Sequence, residues 1–194
     1  MIEFIYQLTK NELNGKKVLL RVDFNVPVVE GKIAEIFRIK AAKETIDYLL
    51  GNGARVVLVS HIEAIESFNP IVEQISEILR RKIAFIPLKD FLTTNYQLQT
   101  TNLYLVDNIR QDKREVENDR GFAEELVKDF DLYVNDAFAV CHREHASVSA
   151  ITEYLPSYAG FLMKKETENL SEALKTPAAG KIVVLGGAKI STKL

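Results

Sequence analysis

The sequence contains a single cysteine, Cys141, among 194 residues. An internal disulfide is therefore excluded, and without a disulfide framework the expected compartment is a reducing one, the cytoplasm. Positive charge is not in excess: 25 Lys and Arg stand against 27 Asp and Glu, a net charge of −2. That balance argues against nucleic acid as a partner, and any anion site has to be a local cluster. No run approaches the ~20 apolar residues that span a bilayer, so no membrane partner is expected. The opening MIEFIYQLTK has an acid at position 3 and no long apolar run, unlike a secretory signal. Histidine is scarce as well, with only His61, His142 and His145. His142 and His145 lie beside Cys141, but that is too few ligands for zinc, and no metal site is expected in this chain. The rest of the composition, 47% hydrophobic and 27% charged, is that of an ordinary globular protein.

Apolar runs alternate with helical periods along the chain. KKVLLRVDF (16–24), RVVLVS (55–60), IAFIP (83–87), LYLVDN (103–108), DLYVNDAF (131–138) and KIVVLGG (181–187) read as buried strands. Between them, residues 38–53 carry Ile39, Ala42, Ile46 and Leu49 at helical spacing and stop at glycine. Further helices are expected over 69–81, with Asn69 as cap and Pro70 in the first turn, and over 119–130, capped by Asp119. Residues 147–155 and 160–175 also read as helices, and the polar stretch 92–102 as a surface loop. Strands alternating with helices imply an α/β fold, a three-layer αβα, Rossmann-like parallel sheet with helices on both faces. Ligands of such sheets bind at the carboxyl ends of strands.

Each strand runs into residues that can do chemistry. Asp23 and Asn25 follow the first and can share a hydroxyl-bearing ligand, or simply cap a loop. His61 follows the second strand and can donate to a phosphate; a structural, hydrogen-bonded role competes with that reading. Arg38, Arg110 and Arg143 lie beyond strands or at a helix start. A guanidinium offers a fork of donors that matches carboxylate and phosphate oxygens, although most arginines are plain surface charge. Gly186, Gly187, Lys189 and Lys193 follow the last strand in GGAKISTK. Glycines allow close approach to phosphates and lysines neutralise them, yet a strand, a Gly-Gly turn and a helix is also a common packing device.

Four segments together carry a resemblance: RVDFNVP (21–27), LYVNDAF followed by HREHAS (132–147), YAGFLMKKETENLSEAL (158–174) and VVLGGAKIST (183–192). In order and spacing they resemble phosphoglycerate kinases across nearly the whole chain. The resemblance implies reversible phosphoryl transfer between ATP and the carboxylate of 3-phosphoglycerate, giving 1,3-bisphosphoglycerate and ADP in glycolysis. It implies that Asp23 and Asn25 hold the substrate's hydroxyl region, and that Arg38 lies near the carboxylate and stabilises the transferring phosphoryl group. His61, Arg110 and Arg143 are implied to bind the 3-phosphate. Gly186, Gly187, Lys189 and Lys193 are implied to face the phosphates of ATP or ADP, whose Mg²⁺ is held mainly by a second domain. The implied division is a 3-phosphoglycerate domain over 1–158, an interdomain helix over 159–176 and the start of a nucleotide domain over 177–194.

Two departures from the family pattern stand out. Where the family usually reads S-H-L-G-R-P, this chain has Ser60-His-Ile-Glu-Ala-Ile, placing Glu63 at the glycine and Ala64 at the arginine. Gln111 takes the place of an aromatic residue. The other departure is length, since a second domain of comparable size is expected in the family. The chain alone is therefore expected not to turn over ATP. A full-length family member is expected to be a monomer, whereas this chain is expected to self-associate or to dock its tail, through the apolar faces of 160–175 and 181–187. A diverged, non-catalytic binding module with the same fold is the competing reading.

Overall fold

The computed structural model describes residues 2–93, 96, 98, 101–175, 177, 179, 180 and 182. In chain order, a short helix α1 (Lys10–Leu13) leads into strand β1 (Lys17–Arg21). A small hairpin, β2 (Val28–Val29) and β3 (Lys32–Ile33), precedes helices α2 (Phe37–Ala41) and α3 (Lys43–Gly51). Next come β4 (Arg55–Val59), α4 (Val72–Leu79), β5 (Ala84–Ile86), α5 (Leu88–Leu92) and β6 (Leu103–Val106). Helix α6 (Arg120–Val127), β7 (Leu132–Asn135), β8 (Ser157–Ala159) and α7 (Phe161–Lys175) follow.

Six strands form one sheet in the order β5-β6-β4-β1-β7-β8. Every pairing in it is parallel. Alternate residues of the central strands enter two separate cores, as a period of two requires. Val18, Leu20, Val56, Leu58, Leu105 and Val134 pack with α2, α3 and α4 through Ile39, Ile46, Leu49 and Ile75. Leu19, Val57, Val59, Tyr104 and Tyr133 pack on the other face with Phe91 of α5 and Phe122 and Leu126 of α6. The three-layer α/β fold is thus as the alternation of strands and helices indicated.

Several local expectations need correction. The helix expected over 38–53 is two helices, with Ala42 between them. Its glycine stop holds, since Gly53 adopts φ 85, the left-handed conformation that favours glycine. Asn69 caps nothing; Asn69–Ile71 is a 3₁₀ turn, and α4 starts after it with no side-chain cap. Asp119 does cap α6, accepting from the Phe122 amide. Residues 147–155 are not an α-helix but turns around a 3₁₀ segment, Ala150–Glu153. There the chain is held by tertiary bonds instead: Ser147 N–H donates to Glu115 Oε2 (2.9 Å) and Ala150 N–H to Asn118 Oδ1 (3.1 Å). The hairpin, α5 and β8 arise where no element was expected; β8 is only three residues long and depends on pairing with β7. The strand expected over 181–187 lies outside the described residues, apart from Ile182.

The chain leaves β1 toward β4 on one side and leaves β7 toward β8 on the other. The switch point of the sheet is therefore between β1 and β7, the place beyond whose carboxyl ends sheets of this kind bind their ligands.

Candidate active site

At this carboxyl edge Arg21, the last residue of β1, is completely buried. A buried guanidinium needs partners for its donors and a countercharge. Its Nε donates to Ser147 Oγ (3.0 Å), and an Nη donates to the Val22 carbonyl. Ser147 Oγ in turn donates to Oε1 of the equally buried Glu115 (2.6 Å). Burial pushes the Arg21 pKa down, and the Glu115 charge counters only part of that shift. The same Glu115 accepts from the Ser147 amide, and Tyr133 OH donates to the Ser147 carbonyl (2.6 Å). The loop that carries Arg143 and His145 is thereby fixed to the sheet.

His61 follows β4 and is 1% exposed. Arg21 Nη2 lies 3.1 Å from His61 Nδ1. A guanidinium has donors only, so Nδ1 accepts and the imidazole proton resides on Nε2. Burial first, and then the charges of Arg21, Arg110, Arg143 and His145, together lower the His61 pKa to about 3. His145 is lowered by the same two causes, burial first, against an opposing pull from Glu115. His61 is therefore a neutral donor inside a ring of cations. Two buried polar atoms here, Arg110 Nε and His145 Nδ1, have no hydrogen-bond partner among the described residues. An anion would supply what such a group lacks.

Arg110 sits in the turn after β6, half-buried, and its Nη1 pairs with Glu63. Arg143 is exposed and forms no ion pair among the described residues, yet its charge reaches His61, Glu63 and His145. Two residues past β1, Asp23 is buried and accepts from Arg38 Nη1 (2.6 Å). Asp23 Oδ1 also accepts from the Asn25 amide (3.2 Å), and Asn25 Oδ1 accepts from the Glu63 amide (3.0 Å).

The family model for phosphoglycerate kinase matches residues 8–194. The chain belongs to the phosphoglycerate kinase family, a family of phosphotransferases. The phosphoglycerate kinase of Borrelia garinii is 39% identical over 95% of this chain and 49% of its own length. That of Dictyoglomus turgidum is 41% identical over 98% of this chain and 50% of its own. Among solved structures, phosphoglycerate kinase from Pyrococcus horikoshii aligns with a TM-score of 0.86 at 31% identity, covering 98% of this chain and 50% of that one. The Coxiella burnetii structure aligns with a TM-score of 0.82 at 32% identity, over all of this chain and 50% of that one. The chain thus spans about half the length of the phosphoglycerate kinases it matches.

Of the residues singled out in the sequence, Asp23, Asn25, Arg38, His61, Arg110 and Arg143 all lie at the carboxyl edge of the sheet. Arg110 and Arg143 gather around His61, whereas Arg38 is turned to Asp23. Gly186, Gly187, Lys189 and Lys193 lie outside the described residues. Sequence reasoning missed Arg21, Glu115 and Ser147 as parts of the site. An arginine inside the apolar run KVLLRV was a signal for the first, because charge in a buried strand demands a partner. Glu115, in the polar run KREVEND, carried none.

Proposed function

We propose that this chain supplies the acceptor half of a phosphoglycerate kinase, binding 3-phosphoglycerate for phosphoryl transfer from ATP. The observation that carries the reading is the cluster of Arg21, Arg110, Arg143 and His145 around a neutral His61, in a chain of this family. In it, Arg110, Arg143 and the His61 Nε2–H bind the 3-phosphate. Asp23 and Asn25 meet the glycerate hydroxyl, and Asp23 holds Arg38 toward the reacting carboxylate. Phosphoryl transfer asks little covalent help of a protein; positioning and cationic stabilisation do most of the work. Arg38 suits that role, because its side chain remains 44% exposed while one end is anchored at 2.6 Å.

In this reading residues 1–158 form the acceptor domain, 159–176 the helix that joins two domains, and 177–194 the start of a nucleotide domain. Gly186, Gly187, Lys189 and Lys193 would face nucleotide phosphates. Among the described residues no group of three or more His, Cys, Asp or Glu is placed to hold a metal ion; Mg²⁺ would come with the nucleotide and be held mainly by the second domain. The donor side belongs to the part of the family's length that these residues do not span, and the 194 residues alone do not turn over ATP. A cytoplasmic location fits this glycolytic reading, and no helix among the described residues is long and apolar enough to cross a membrane.

The test is a titration of the purified chain with 3-phosphoglycerate, followed by amide shifts. Shifts at Asp23, His61 and Arg143 are expected at millimolar ligand. Their absence sinks the reading. One observation favours the alternative of a non-catalytic binding module: Glu63 already occupies Arg110. A module that had lost the site would show no shifts at any concentration.

A further inference from the structure

The contact between Glu63 and Arg110 is built, not incidental. The backbone on both sides of Glu63 is fixed. Asn108 accepts from the Ile62 amide (3.3 Å) and donates to the Ile62 carbonyl (2.8 Å). The Glu63 amide is held by Asn25 at 3.0 Å. Further on, Asp107 accepts from Ser67 Oγ (2.9 Å) and the Phe68 amide (2.8 Å), which ties down the far end of the loop. A loop so anchored delivers the Glu63 side chain to one place, and that place is Arg110 Nη1.

Glu63 is held below the usual carboxylate range first by its hydrogen bond to Arg110, with Asn25 and Arg143 adding to the effect. It stays charged and faces the same cations that an incoming anion would use. Its side chain is 59% exposed, so it can swing away without breaking the core. Arg110 is only 18% exposed, so burial keeps it from following, and its buried Nε has no hydrogen-bond partner among the described residues.

We propose that Glu63 is an internal competitor for the anion site, occupying Arg110 in the ligand-free chain and setting how strongly a phosphate must bind to displace it. This rests on the reading of Arg110 and Arg143 as an anion site. A ligand phosphate has to replace one charge-assisted hydrogen bond before it gains its own, and then sits beside a displaced carboxylate of like sign. Glu63 therefore weakens phosphate binding and favours ligands whose remaining groups contribute affinity of their own.

The experiment compares the chain with Glu63→Gln, which keeps the shape and removes the charge. Inorganic phosphate and 3-phosphoglycerate are titrated separately, by calorimetry and amide shifts. Glu63→Gln is expected to bind both more tightly, by roughly tenfold or more, the worth of one charge-assisted bond. In an Arg110→Ala background the same substitution is expected to give a much smaller gain. Equal affinities in the chain and in Glu63→Gln overturn the inference and leave the substrate reading standing. Tighter phosphate binding by Glu63→Gln, with no 3-phosphoglycerate bound by either protein, upholds the competitor and sinks the substrate. No binding of either ligand by either protein overturns both.

Discussion

His61 accepts from Arg21 through Nδ1 at 3.1 Å and so keeps its proton on Nε2. Its pKa, about 3 against an ordinary 6.5, is depressed by burial and by the cations around it. Because the folded value lies below the unfolded one, neutral His61 adds stability in full above pH 6.5, and that contribution is lost as pH falls toward 3. Nitrogen NMR is expected to show a single Nε2–H tautomer with no protonation of this ring between pH 8 and pH 5. A midpoint near the ordinary value would mean that the ring is not held as described. A neutral donor suits a phosphate site, since it adds a hydrogen bond without adding to the repulsion among Arg21, Arg110 and Arg143. His61 was legible in the sequence as a residue after a strand. Its tautomer was not, because the partner that determines it lies 40 residues away.

Among the elements, α7 shows most clearly how tertiary contacts finish a helix. A helix leaves its first amides without partners. Here the Phe161 amide donates to Thr45 Oγ1 (3.0 Å) on α3, and the Leu162 and Met163 amides donate to Asp136 Oδ1 (2.9 and 3.2 Å) just past β7. Gly160 makes the approach possible, because a Cβ there would collide with the Asp136 carboxylate. Burial raises the Asp136 pKa to about 6 from 3.8, against the pull of Thr45 and the two amides. A raised folded value means that Asp136 adds stability in full below about pH 3.8 and loses it as pH rises through about 6. Asp136→Asn, which keeps an acceptor and cannot ionise, is expected to flatten the stability profile across that window and to cost nothing at pH 7.5. Asp136→Ala is expected to cost about 1 kcal/mol there, as loss of a cap does. Urea unfolding at a series of pH values measures both. The apolar and polar periodicity of residues 160–175 was enough to find this helix in the sequence. It could not show that the cap comes from another strand.

For the whole molecule, the described part of α7 buries none of its residues fully, and Leu170 and Leu174 are exposed, as is Ile2 near the amino terminus. Apolar surface of this kind favours association. Light scattering is expected to show a mass that rises with concentration, and Leu170→Lys with Leu174→Lys is expected to restore a monomer. A concentration-independent monomer mass for the unsubstituted chain would count against it.

Layering and family were readable from the sequence alone, because both are written locally. Unbroken apolar runs along KVLLR, RVVLV and LYLV mark strands buried on both faces, and short motifs at strand ends mark the family. Short elements were not readable: β8 needs its pairing with β7, and residues 147–155 gave up a helix for bonds to Glu115 and Asn118. Nor could the sequence assign partners to its charges. Asp23 meets Arg38 across 15 residues, Glu63 meets Arg110 across 47 and Arg21 meets Ser147 across 126. Such pairs depend on distance in space and on burial, which only the folded sheet supplies. The tertiary structure therefore decided that the arginine opposite the departure at Glu63 is already engaged, while the sequence alone showed only that a carboxylate had been added nearby.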